Sequence, residues 1–271
     1  VNGVGSSSNS YTFAGDIVDT SGAGGYLEVI KTGTGVQTLT GNLDMVSDTG
    51  SVLNVHEGTL ILDTATGKTH SVEYLKGASG GTLELADGDS DLITLGFANT
   101  TTYTDADFQG TLELSGGVEH TIKVSSGTAA ADYDNEQTIS GVLLANGSTD
   151  TLKKDGVGRL RLTGDNSGTN KTYGGSAGTA NYDNLITVND GTLVLGHAGT
   201  GGANDDVDFH SNTQFRIEKG KLEVAAGDRI TNTVLGSATS SNKTKSMVGG
   251  DGTLSAVTIG SGDNEIDTIS P

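Results

Sequence analysis

Glycine followed by a short strand of alternating apolar and polar residues is written nine times along the chain: GYLEV at 25, GTLIL at 58, GTLEL at 81 and again at 110, GVLLA at 141, GRLRL at 158, GTLVL at 191, GKLEV at 220 and GTLSA at 252. Alternation puts Leu or Val on one face of an extended strand and Thr, Glu, Arg or Ser on the other. One such strand cannot bury its apolar face alone. Stacked on equivalent strands at ~4.8 Å, it forms a continuous aliphatic ladder, the way a solenoid builds its core. Successive units start 17 to 33 residues apart. With a further strand or two in each interval, such as TIKV at 121–124 and LITV at 185–188, an interval near 30 residues is one coil of a parallel β-helix. A sandwich or barrel would instead show hairpin-linked strands at roughly 8–12-residue spacing. The turn dipeptides Asn146–Gly147 and Asp87–Gly88 are expected to form short hairpin inserts in the solenoid.

Composition supports this reading and excludes others. Gly occupies 43 of 271 positions, only 33% of residues are hydrophobic, 4% are aromatic and there is no Trp, which resists a thick globular core. Disorder is the weaker reading, because the apolar residues are gathered into short alternating runs. No apolar stripe of helical period persists, so the chain is expected to be all-β. Residues 1–271 are expected to form a single β-solenoid, with 1–20 as an N-terminal extension or pairing strand. The whole is read as the exported part of a processed precursor or a segment of a longer protein.

The formal charge of −19 repels phosphate and anionic lipid, so neither nucleic acid nor membrane is an expected partner. Without Cys there are no disulfides and no thiolate metal sites. No apolar run approaches the length that crosses a membrane.

One longer stretch is written twice. KTGTGVQTLTG at 31–41 and KDGVGRLRLTG at 154–164 share Lys, Gly, Gly, Leu, Thr and Gly at identical offsets. Lys154 and Asp155 are expected to face solvent at a turn, Gly156 and Gly158 to permit the corner, and Leu160 and Leu162 to enter the stack. Each copy is followed by a further matched segment, VHEGTLIL at 55–62 and VNDGTLVL at 188–195. This pattern resembles the autotransporter-associated β-strand repeat of bacterial surface-protein passenger domains. The tail GGDGTLSAVTIGSGDNEIDTISP is similar to the segment that often follows such repeats. The resemblance implies a right-handed parallel β-helix displayed outside the cell, at the bacterial surface, and implies no particular activity. Nothing in the chain resembles the amphipathic strands of a membrane barrel.

The candidate sites are acidic. Asp87, Asp89 and Asp91 alternate within ADGDSDLITLG, and Asp205, Asp206 and Asp208 cluster in NDDVD. Carboxylates at such spacing suit a hard cation, and Ca2+ is the expected ligand, although Asp is also favoured in turns for its own sake. Further acidic groups at Asp105 and Asp107, at Asp132, Asp134 and Glu136, and at Asp263, Glu265 and Asp267 are read as surface charge that divalent ions could bridge. An enzyme is not expected: Trp is absent, Arg is scarce, and His56, His70, His120, His197 and His210 form no ligand or base cluster, with His56 and His197 expected to be exposed or in turns.

The expected function is therefore that of an extracellular structural protein. Copies would join through terminal strands or solenoid ends into a filament, sheath or matrix, with SYTFAGDIV at 10–18 able to add to a neighbour's edge. The alternative is an adhesin that binds cell-surface glycans through the longer inserts at 97–108, 164–184 and 196–213, which carry Tyr103, Phe108, Tyr173, Tyr182 and Phe209.

Overall fold

The structure, a computed structural model, describes residues 9–19, 27–45, 51–63, 70–86, 92–95, 106–125, 136–145, 150–164, 185–196, 213–225, 229–236, 246–250, 253–258 and 266–270. Every strand pair among them is parallel, in one 14-stranded and one 10-stranded sheet. The chain is a parallel β-solenoid, with no helix among the described residues. No helix among the described residues is long and apolar enough to cross a membrane.

The larger sheet turns a corner inside its two long strands, Val52–Asp63 and Tyr74–Ala86, and so covers two faces. The first face runs from Ser10–Phe13 through Val36–Leu39 to Thr111–Ser115 and Leu143–Ala145. The second face is the smaller sheet, from Ile17–Val18 to Thr253–Thr258. The third runs from Glu28–Lys31 through Glu136–Ile139, Arg159–Leu162 and Thr192–Leu195 to Ile266–Ser270. Beyond Ala145 the described residues add no rung to the first face, while the other two continue. The inserts at 164–184 and 196–213 fall in the chain where those first-face rungs would come.

Register converts alternation into a core. On the first face Phe13, Leu39, Leu62, Leu85, Leu114 and Ala145 lie in one column, each on the residue below. On the third, Gln137, Leu160, Leu193, Leu222 and Val248 do the same. Leu62, Leu85, Leu114, Leu160, Leu193 and Leu222 are 0–1% exposed, and each fully buried side chain contributes about 1.5–3 kcal/mol. A core one residue deep from each face explains how so low an apolar fraction suffices.

Glycine marks where coils approach most closely. A Cβ on Gly164, the last residue of the second long motif, would fall on the carbonyl of Gly141, and one on Gly141 would fall on that of Gly110. These glycines are fixed by contact between coils.

Several expectations need correction. Lys154 does not face solvent: it is 0% exposed and stands inside the second-face column between Ile122 and Val188. Phe108 is no loop aromatic but a core residue, also 0% exposed. Of the 10–18 segment, Ser10–Phe13 and Ile17–Val18 are already rungs, paired with Val36–Leu39 and with Leu43 and Asp44. Both expected hairpin dipeptides lie outside the described residues.

Candidate functional site

The repeated motif is a clamp. Lys31 Nζ donates to the carbonyls of Thr32 (3.1 Å), Gly33 (2.5 Å) and Glu57 (2.9 Å). Lys154 Nζ donates to those of Asp155 (2.9 Å), Gly156 (2.5 Å) and Asp190 (2.9 Å). An ammonium has three N–H groups and no acceptor, so each lysine spends all three on backbone. Two of the carbonyls belong to its own turn, and the third belongs to the corner of the next coil, just before GTL. Gly58 and Gly191 begin those next strands with φ of 69° and 65°. A Cβ there would lie 2.5 Å from the carbonyl oxygen of Gly35 or Gly158. The same clamp serves two different corners. At Lys31 it joins the third face to the first, and at Lys154 it joins the second to the third.

Burial pushes the Lys154 ammonium down to about 8, against the pull of Asp190 and Asp155. Lys31 is lowered too, by burial opposed by Glu57. Burial would raise the Asp155 carboxyl, but hydrogen bonds from Asn189 and the Gly156 N–H, with Lys153 and Lys123 nearby, hold it below the ordinary range. The signal missed in the sequence is parity: in TLKKD, Leu152 points inward, so Lys154 must as well.

Two other buried polar groups knit coils together. Gln137, 0% exposed, accepts the Leu75 N–H at Oε1 (2.9 Å) and shares its two Nε2 N–H groups among the carbonyls of Leu75 (3.2 Å), Ala106 (3.0 Å) and Thr138 (2.8 Å). Its carboxamide thus stands in for a peptide group where the intervening strand, Asp107–Phe108, is short. Asp150 accepts the Gly117 and Val118 N–H groups and lies 3.7 Å from His120 Nε2. At 0% exposure neither His120 nor Asp150 can meet a substrate.

On the outer surface of the third face, Glu136 bridges Arg159 (3.2 Å) and Arg161 (2.5 Å), and Arg159 reaches Glu223 (2.7 Å), which also pairs with Lys221. The Arg159–Glu223 pair spans the intervening Thr192–Leu195 strand, whose outward Val194 is only 2% exposed. Burial would raise Glu223, yet the Lys221 bond and Arg159 keep it below the usual carboxylate value. Burial works against the charge of Arg159 too, and is outweighed by Glu223 and Glu136, which raise it.

Of the expected sites, Asp87, Asp89, Asp91, Asp205, Asp206 and Asp208 lie outside the described residues, as do His197, His210, Tyr103, Tyr173, Tyr182 and Phe209. Among the described residues no three His, Asp or Glu side chains gather as a metal group. Asp107 accepts from Gln109 and from the Ser140 hydroxyl and N–H, which is turn geometry. His56 is exposed, as expected, while His70 and His120 are core residues.

What remains is the N-terminal end of the ladder. Tyr11 and Phe13 register with the inward residues Gln37 and Leu39, yet they are 52% and 38% exposed. Among the described residues Ser10–Phe13 is bonded on one side only, and so is Glu28–Lys31. Between them opens an apolar cavity of about 70 Å³, lined by Phe13, Ile17, Val29, Gln37, Leu39 and Leu60 among others.

Fold and site together define a parallel β-solenoid whose first-face and third-face ladders begin, among the described residues, at Ser10–Phe13 and Glu28–Lys31. Comparison with protein-family models, with curated proteins and with solved structures found no match.

Proposed function

We propose that the protein is an extracellular structural solenoid of the bacterial surface that assembles with copies of itself through its open ladder ends. The observation that carries this is the first-face edge, where core-register Tyr11 and Phe13 stand exposed on a strand that is bonded on one side only among the described residues. Such an edge is a template for another parallel strand. Heterologous stacking of this kind generates an open filament. The extracellular placement is supported by the resemblance of the doubled Lys-Gly-Gly motif to passenger repeats.

The −19 charge opposes association until it is screened, so assembly should require salt or divalent ions, with Ca2+ at the aspartate-rich segments as the proposed bridge. Glycan binding through flank loops has weaker support, since Phe108 belongs to the core. Sedimentation velocity and electron microscopy of the chain over a wide concentration range, with Ca2+ and with chelator, test the proposal. Filaments that shorten on chelation are expected. A species that stays monomeric under every condition refutes it.

A further inference from the structure

We draw no further inference here: the strongest candidate, the apolar cavity of about 70 Å³ between Ser10–Phe13 and Glu28–Lys31, opens beside residues outside the described ones, and nothing in the structure shows what covers it.

Discussion

Gln137→Leu should be among the most damaging single substitutions in the solenoid. Leucine keeps most of the volume and removes the carboxamide. The Leu75 N–H then loses its acceptor, and the carbonyls of Leu75 and Ala106 lose a donor, in a place where the side chain is 0% exposed. The Ala106 carbonyl keeps the Thr138 N–H, so two groups, the Leu75 N–H and carbonyl, are orphaned. An orphaned buried group costs about 1–3 kcal/mol, so the two cost roughly 4 kcal/mol. Burying leucine in place of a carboxamide returns about 1–2 kcal/mol. A net loss of about 2–3 kcal/mol is expected.

Gln37→Leu is the internal comparison. Among the described residues its carboxamide bonds only the Thr38 carbonyl, so about 1 kcal/mol or less is at stake. In urea, with a slope of about 3 kcal/mol/M for a chain of this size, Gln137→Leu should lower the midpoint by about 1 M and Gln37→Leu by a few tenths at most. Hydrogen exchange at the Leu75 amide should quicken in the first variant and not in the second. If both midpoints fall equally, or the Leu75 amide stays protected in Gln137→Leu, the idea that a side chain replaces a missing peptide contact is wrong.

Other predictions concern corners and charges. Gly191→Ala must adopt a φ of 65° and place a methyl 2.5 Å from the Gly158 carbonyl oxygen, so it should cost about 3 kcal/mol in thermal or urea unfolding. Gly80→Ala, whose Cβ would meet nothing closer than 3.6 Å, should be neutral within about 0.5 kcal/mol. For Lys154 the folded value of about 8 lies below the ordinary 10.5, so between them the unfolded chain keeps a proton that the folded chain has lost. Stability should therefore rise with pH across that window, by at most about 3 kcal/mol, and the rise should vanish in Lys154→Met. Glu223 has the opposite sense. Its depressed carboxyl contributes stability above the ordinary carboxylate value, and that contribution is lost as pH falls through the folded value; Arg159→Gln should remove about 1 kcal/mol of this acid sensitivity.

The strands were legible because period two is a local property. GTLIL, GTLEL, GRLRL and TLVL each announce an inward and an outward face, and the recurrence of the unit announces stacking. The lysine clamp was half legible. Repetition of K-x-G-x-G showed that Lys31 and Lys154 belong to one module, but charge suggested solvent where parity in TLKKD requires the interior. Only the carbonyls of Glu57 and Asp190, which arrive from the next coil, make a buried ammonium tolerable. Gln137 was not legible at all. Its partner Leu75 is 62 residues away, and nothing in EQTI tells that the strand between them is short.

Sequence by itself determined that this chain is a β-solenoid: the alternation, the glycine before each strand and the aliphatic column all follow from residue order. Tertiary structure alone decided which corner each motif turns. The eleven-residue module at 31–41 links the third face to the first, while its copy at 154–164 links the second to the third. The physical reason is that the clamp closes on backbone carbonyls, which every residue supplies. What lies above and below in the stack, and not the motif, fixes where the corner falls.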